Sequence, residues 1–220
     1  MKLLRKWLIV LNNIYDIIMV SDGGSRNKGG KRGAFENIIN STKSDIKTIK
    51  NVAVKDSTNN FCELAGFLDG MLRVVEIFEN RIESLSVAMS TDSAFVLNGI
   101  TEENRLPKWR TNGFMSYSNK PIKHKELWSI MGELYYDIIP KLNTKFNIEF
   151  YWVKGHLTKK EISAIKDPLE LKITNLNIDC DDGLTKVLDD ENTQYLTEEE
   201  VIESINKRFN IIKKRCEIFE

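Results

Sequence analysis

The order of its predicted elements constrains the fold of this chain more than any other feature. Three short runs with many β-branched residues, 15–21, 34–40 and 46–54, follow one another with short connections. Such spacing favours an antiparallel meander, because a parallel pair of strands needs a longer crossover. Helix and strand patterns then alternate, over 58–80, 85–91, 125–142 and 146–152. The sequence therefore predicts an α/β fold with a mixed five-stranded sheet, in which a three-stranded antiparallel meander is joined by two parallel strands and helices cover both faces.

The segments after the last predicted strand are less regular. We expect a loop of uncertain order over 157–176 and a short helix over 177–188. A capping box at 197–200 then opens a tail helix. This organisation predicts one domain over 14–190 and a helical tail over 191–220. The tail carries an apolar stripe that we expect to pack on the domain rather than to bind a partner, formed by Val201, Ile202, Ile205, Phe209 and Ile212.

The first 13 residues resemble the start of a secretory signal, with basic residues followed by an apolar run over 7–11. The run is broken by Asn12 and Asn13, and no small-residue cleavage site follows. We predict an N-terminal extension that either packs on the domain or lies loose. No stretch is long and apolar enough to span a membrane. Three cysteines without CxxC spacing argue against a disulfide framework and favour a cytoplasmic, intracellular protein.

Charge is balanced overall but unevenly distributed. The chain has 32 basic and 32 acidic residues. Residues 105–125 nevertheless contain six lysines and arginines and no acid, so the rest of the chain is acidic. This basic segment is either a solvated loop or a surface that binds an anion.

Acidic residues follow two predicted strands that can lie side by side. Asp22 ends the first strand and Asp92 the fourth, and ligands of α/β sheets bind at the carboxyl ends of parallel strands. Glu63 lies in the first turns of the following helix, on the same face as Gly66 and Gly70. These glycines would allow another backbone or a ligand to come close.

A fourth acid is selected by the phase of the last short helix. Asp181 lies three and seven residues before the apolar Leu184 and Leu188, whereas Asp182 points about 100° away. Four converging carboxylates repel one another unless cations neutralise them, and oxygen ligands suit Mg²⁺ or Mn²⁺. Two such ions can assist an in-line displacement at phosphorus. The alternative is that these acids are strand-end caps and surface residues.

Six motifs in this sequence resemble those of type 1 ribonuclease H, and they occur in the family's order. They are 22–29 (DGGSRNKG), 58–64 (TNNFCEL), 91–93 (TDS), 120–128 (KPIKHKELW), 152–156 (WVKGH) and 177–181 (NIDCD). Each motif alone is weak, but together they span residues 22 to 181. The chain is therefore identified as a member of this family, which implies an RNase H-like fold.

The resemblance implies roles for particular residues. Asp22, Glu63, Asp92 and Asp181 would hold two Mg²⁺ ions, which Mn²⁺ can replace, and hydrolyse the RNA strand of an RNA/DNA hybrid. The products would carry 5′-phosphate and 3′-hydroxyl ends, and His156 would assist proton transfer or product departure. Further residues would contact the hybrid, and Asn27, Asn60 and Glu63 among them would touch RNA 2′-hydroxyls. The hybrid contacts implied are Gly23, Asn27, Thr58, Asn59, Asn60, Trp109, Lys120 and Lys123.

Several interpretations remain open at this stage. His156 could be an ordinary loop residue, although its motif favours a catalytic role. Trp128 and Trp152 are predicted to be core residues and Trp109 to contact a ligand. His124, among lysines at a helix start, is predicted to lie on the surface. The segment 157–176 is longer than in bacterial members of the family, and it could be a lid, a substrate contact or a surface loop. The loop after Asp22 is one residue shorter than usual, which leaves the position of Asn27 open.

Two further function classes compete with a ribonuclease H, and a third, a phosphoryl-transfer enzyme for nucleotides, lacks any recognisable base pocket in the sequence. The fold could carry a nuclease for other nucleic-acid structures, or a catalytically silent nucleic-acid-binding module. The presence of all four acids argues against the silent module, and the 58–64 and 120–128 motifs argue against another nuclease. We expect a monomer that binds hybrid and no membrane, and the sequence names no protein partner.

Overall fold

The computed structural model describes residues 15–26, 31–101 and 105–218. The predicted N-terminal extension and Asn27 lie outside these described residues. The described strands form one sheet in the order β5-β4-β1-β2-β3-β6. They are β1 (Ile17–Arg26), β2 (Arg32–Ser41), β3 (Lys47–Lys55), β4 (Leu85–Thr91), β5 (Phe146–Trp152) and β6 (Tyr195–Leu196).

Pairing within the sheet confirms the predicted mixture of antiparallel and parallel strands. β1, β2 and β3 form the antiparallel meander. β4 pairs in parallel with both β1 and β5. The sixth strand was not predicted, and its two residues add in parallel to the edge of β3.

Seven helices connect or cover these strands in the described part of the chain. They are α1 (Asn59–Phe78), α2 (Ala94–Thr101), α3 (Arg105–Thr111), α4 (Lys125–Glu133), α5 (Lys159–Ala164), α6 (Pro168–Asp189) and α7 (Glu198–Ile218). Helix α4 continues as a π-helical turn over Leu134–Ile138 and a 3₁₀ turn over Ile139–Lys141, so the predicted helix over 125–142 is present with a change of pitch.

Two local predictions were wrong. The first strand does not stop at Asp22, because β1 continues to Arg26 through antiparallel pairs with β2. Only its parallel pairing with β4 ends at Ser21. The predicted loop over 157–176 is mostly helical, because α5 and the first part of α6 occupy it. The helix predicted over 177–188 is therefore not short, since α6 has 22 residues. Asp167 caps α6 by accepting a hydrogen bond from the Glu170 N–H at 2.8 Å.

Alternate residues of β1 pack on opposite faces of the sheet. Ile17 and Met19 contact the large core that includes α1, α4 and α7, while Ile18 and Val20 pack with apolar residues of α6. Helix α1 approaches closely at Gly66, where an added Cβ would lie 2.8 Å from the Phe35 Cβ. Helices therefore cover both faces, as predicted.

The tail helix α7 belongs to the same core. Its stripe packs as predicted, with Val201, Ile205, Phe209 and Ile212 buried and Ile202 half-buried. The predicted capping box is present, because the Glu200 N–H donates to Thr197 Oγ1 at 3.0 Å and the Thr197 N–H donates to Glu200 Oε2 at 2.7 Å. Among the described helices, none is long and apolar enough to cross a membrane.

Candidate active site

One cavity of about 380 Å³ brings the predicted catalytic residues together. It lies where the parallel pairing of β1 and β4 ends, between α1 on one side and α6 on the other. The four acids come from four different segments, which are β1, α1, the end of β4 and α6. The predicted catalytic residues in its lining are Asp22, Glu63, Asp92, His156 and Asp181.

Asp22 is the most buried of the four acids, with 8% of its surface exposed. Its Oδ1 accepts a hydrogen bond from the Gly23 N–H at 2.7 Å. Burial, followed by the charge of Asp92 and then those of Asp181 and Glu63, raises the pKa of Asp22 to about 7. Desolvation and like charges both disfavour the ionised carboxylate, so this site has an excess of negative charge.

Glu63 is held by a neighbouring strand end. Its Oε2 accepts a hydrogen bond from Ser93 Oγ at 2.6 Å. Burial and the nearby Asp92 raise the pKa of Glu63, against the effect of this hydrogen bond. Gly23 explains how β1 comes so close to α1, because a Cβ there would lie 2.5 Å from the backbone of Cys62 and Glu63.

The helix phase separates the two neighbouring acids on α6. Asp181 lines the cavity together with Leu184 and Leu188, whereas Asp182 is exposed and is not part of the lining. The predicted choice of Asp181 therefore agrees with its position. His156 Nδ1 lies 3.8 Å from Asp181 Oδ2, and the His156 side chain is 82% exposed. Its backbone is left-handed, with φ of 53°.

Asp92 has three neighbours that were not predicted as site residues. Asn177, one helical turn before Asp181, hydrogen-bonds the Asp92 carboxylate. Burial raises the pKa of Asp92, and this hydrogen bond opposes part of that effect. Trp152 Nε1 donates to the Asp92 carbonyl at 3.0 Å. At Gly155 an added Cβ would lie 2.3 Å from Asp92 Oδ2. The i, i+4 spacing of Asn177 and Asp181 was a sequence signal for the first of these neighbours.

The donor set fits hard divalent cations. Carboxylates whose pKa values are raised by burial and by one another gain from a cation, and Mg²⁺ and Mn²⁺ prefer oxygen ligands. Asn177 Oδ1 is also buried and has no hydrogen-bond partner among the described residues. No three His, Cys, Asp or Glu residues in the described ranges form a ready-made metal cluster.

The predicted hybrid contacts near the start of α1 lie beside the cavity. Thr58 caps the helix, and its Oγ1 accepts from the Phe61 N–H at 3.3 Å. Asn59 Oδ1 accepts hydrogen bonds from Ser25 N at 2.7 Å and Ser25 Oγ at 2.6 Å. Asn60 is half-buried in the first turn. These contacts tie the start of α1 to the end of β1.

The basic segment is partly helical and contains Trp109, which was predicted to contact a ligand. Trp109 lies on α3, half-buried, with its ring centroid 5.2 Å from that of the buried Trp128. Trp109 also lines a second cavity of about 1030 Å³ together with Arg105 and Lys108. Lys120 and Lys123 are both exposed.

Two predictions about side-chain exposure were wrong. Trp152 is not a core residue, since 56% of its surface is exposed. His124 had been placed on the surface, but it is half-buried, with its ring centroid 5.5 Å from that of Phe61. Burial lowers the pKa of His124.

Comparison with known proteins decides the family. The family model for RNase H matches residues 15–169, which is well over half of the chain. The chain belongs to the ribonuclease H family. The match includes Asp22, Glu63, Asp92 and His156, while Asp181 lies beyond its end.

Curated ribonucleases H show the same relationship. The ribonuclease H of Clostridium botulinum is 32% identical over 144 residues, which is 64% of this chain and 83% of that protein. The ribonuclease H of Desulforamulus reducens is 31% identical over 164 residues, covering 71% and 91% of the two chains. The prediction of a ribonuclease H enzyme is therefore confirmed.

Solved structures confirm the fold. The solution structure of the PFV RNase H domain matches with a TM-score of 0.56 and 18% identity, over 78% of this chain and 96% of that domain. The protease-reverse transcriptase of prototype foamy virus matches with a TM-score of 0.50 and 21% identity, over 76% of this chain and 21% of that protein. At such identities the likeness extends to the fold alone.

Proposed function

We propose that this chain hydrolyses the RNA strand of RNA/DNA hybrids with the help of two divalent cations, Mg²⁺ or Mn²⁺, and leaves 5′-phosphate and 3′-hydroxyl ends. The observation that carries the proposal is the convergence of four carboxylates from four separate segments on one cavity. Membership of the ribonuclease H family supports the same reaction class.

The four acids would hold the cations. When bound, two such ions would stabilise the attacking and leaving oxygens of an in-line displacement at phosphorus. The protein's own contribution is to hold the carboxylates in place before substrate arrives. Ser93 fixes Glu63, the Gly23 N–H fixes Asp22, and Asn177 fixes Asp92. Such second contacts orient ligands that would otherwise move apart through repulsion.

His156 would assist proton transfer at the cleaved phosphate or the departure of product. Its side chain is exposed and only 3.8 Å from Asp181, so it can reach a phosphate bound in the cavity.

The surface around the cavity would bind the hybrid. Asn27, Asn60 and Glu63 would contact RNA 2′-hydroxyls, with the backbone at Gly23 close by, and Thr58 and Asn59 would contact the DNA strand. Trp109, Lys120 and Lys123 would line the groove for that strand. Lysine–phosphate contacts position a duplex without reading its sequence, which suits an enzyme that acts on hybrids of many sequences.

A direct assay tests the proposal. The protein is incubated with matched RNA/DNA hybrid, duplex RNA and duplex DNA, with Mg²⁺ or with a chelator, and the cleaved strand and its ends are identified. We expect cleavage of RNA in the hybrid alone, and only with metal. Cleavage of duplex DNA at a comparable rate would indicate a nuclease for other structures, and binding without cleavage would indicate a silent module.

A further inference from the structure

A groove of about 920 Å³ lies beside the candidate active site, between the end of β5 and the helices α5 and α6. One wall comes from residues 157–169. The groove has an apolar floor and an aromatic edge. The residues that form them are Tyr151, Trp152, Leu157, Ile165, Leu169 and Ile173.

Trp152 joins this groove to the catalytic cavity. The residue lines the groove, and its indole N–H donates to the carbonyl of Asp92, which lines the cavity. More than half of the Trp152 surface is nevertheless exposed. An indole that is fixed at its nitrogen and open on its ring is a ready platform for stacking.

The charged residues that line the groove are Lys154, Lys166, Glu161, Asp167 and Glu170, and the adjoining helix α5 begins with Lys159 and Lys160. Lys159, Lys160 and Lys166 are exposed and form no ion pair with the described residues. Two of the nearby acids are engaged within the protein. Glu161 accepts from Lys154 Nζ at 2.7 Å and from Thr158, and Asp167 caps α6. Between 154 and 172 there are five lysines and three acids, one of which, Glu170, faces the groove without such a role.

We propose that this groove, here called the β5–α5 groove, binds unpaired nucleotides of an RNA strand that continues past the cleavage site. One base would stack on Trp152, and the phosphates would lie beside Lys159, Lys160 and Lys166. This inference rests on the proposed function, because it assumes that the RNA strand crosses the catalytic cavity.

The chemistry of the groove matches this ligand. Proteins recognise unpaired RNA by stacking its bases on aromatic side chains, next to cations that contact the backbone. The volume lies within the range of small-molecule sites, so it can admit a nucleotide. The hydrogen bond from Trp152 to Asp92 is the point at which the groove adjoins the catalytic cavity, and it selects the cleaved strand, since the same strand would lie over Asp92 and then reach Trp152.

The first experiment compares a blunt hybrid with the same hybrid extended by single-stranded RNA at either end. We expect the extension at one end to lower KM about tenfold, the effect of one base–aromatic stack, with little change in kcat. In Trp152→Ala this gain should disappear. In Trp152→Phe it should largely remain, because the ring is kept although the N–H to Asp92 is lost.

Charge is tested with matched double variants. Lys160→Gln with Lys166→Gln should reduce the gain and weaken its dependence on salt. Lys207→Gln with Lys214→Gln removes the same charge from the exposed face of α7 and should keep the gain. An extension without effect at either end, or a gain that persists in Trp152→Ala, would overturn the inference.

A second measurement separates this inference from the proposed function. Labelled single-stranded RNA is titrated with wild-type protein and with Trp152→Ala, and binding is followed by fluorescence anisotropy. RNA binding that depends on Trp152, without hybrid cleavage, would support the groove and contradict the proposed function. Hybrid cleavage with no binding that depends on Trp152 would support the function and overturn the groove.

Discussion

At the scale of single residues, the burial of Asp22 links the electrostatics of the site to the stability of the protein. Its carboxylate is buried beside three other acids, and its pKa is raised to about 7. A raised carboxyl pKa means that the folded protein holds a proton more tightly than the unfolded chain does. The stability that this proton provides is complete below the ordinary pKa near 3.8 and is lost as the pH rises through about 7. Burying this acid therefore destabilises the metal-free protein at neutral pH and above.

The first prediction concerns Asp22→Asn in the absence of metal. In chelator at pH 8 the variant should be more stable than wild type by roughly 2–4 kcal/mol, because the buried charge is removed. The difference should shrink at pH 4, where Asp22 is largely protonated. Thermal and urea unfolding at the two pH values measure this. An equal difference at both pH values would show that the charge is not the cause.

The second prediction concerns the other acids. Asp92→Asn and Asp181→Asn should each abolish hybrid cleavage with the fold intact, because an amide cannot neutralise a cation. Asp182→Asn is the matched control on the same helix and should be mild, since Asp182 is exposed outside the cavity. Steady-state rates and circular dichroism are the measurements. If Asp92→Asn cleaves hybrid at a rate within tenfold of wild type, Asp92 is not part of the site. If Asp182→Asn loses more activity than Asp181→Asn, the other face of α6 is the one that faces the cavity.

At the scale of elements, α7 is attached to α1 by both charge and packing. Arg208 donates to Glu76 Oε1 at 2.8 Å and also pairs with Asp69, which is almost fully buried. Lys50 approaches the same Asp69 carboxylate at 2.8 Å. Arg208 and Lys50, in that order, lower the pKa of Asp69 despite its burial. The tail is therefore part of the folded domain, and we expect it to contribute to stability.

The third prediction tests the packing of α7. Phe209→Ala should reduce the free energy of unfolding by about 3–5 kcal/mol, because a buried aromatic side chain is lost and leaves a cavity. Ile211→Ala, at an exposed position of the same helix, is the control and should change stability little. Urea unfolding followed by circular dichroism measures both variants. Equal effects at 209 and 211 would mean that α7 does not pack as described.

At the scale of the whole molecule, charge is divided between two regions. The catalytic cavity is acidic, while the basic segment 105–125 holds exposed lysines on an otherwise acidic protein. Such separation suits a polyanion that must be held firmly while one phosphate is placed among carboxylates. Each phosphate of duplex DNA that a protein neutralises makes the logarithm of the binding constant fall by roughly 0.9 for each unit increase in log[salt]. A hybrid should behave similarly.

The fourth prediction follows from this separation. Lys120→Gln with Lys123→Gln should weaken hybrid binding and flatten its salt slope by about one to two units. Trp109→Ala should weaken binding with little change in slope, because an aromatic contact releases no counterions. Both should raise KM more than they lower kcat. Affinity measured over a range of salt concentrations tests this, and an unchanged slope in the lysine variant would place the binding surface elsewhere.

The sequence by itself determined the main strands and helices, and it also determined where three of the four acids lie. These acids are Asp22, Asp92 and Asp181. Alternation along 146–152 and helical spacing along 58–80 are local patterns, so β5 and α1 followed from them directly. Parallel pairing of β1 with β4 then had to bring Asp22 and Asp92 together. The phase of one helix was enough to separate Asp181 from Asp182.

Only the tertiary structure decided the features that depend on distant neighbours. Trp152 continues the inward alternation of β5, yet it is exposed because it is the last residue of an edge strand. Helix α6 begins at Pro168, about two and a half turns before its predicted start at 177. Asp167 and Pro168 are a local start signal, but the burial of Ile173 against the sheet is a long-range contact. Ser93 and Asn177 likewise acquire their roles from the acids they contact. Periodicity reports which face of an element is apolar, whereas the partner that covers that face, or leaves it open, is set by contacts far apart in the chain.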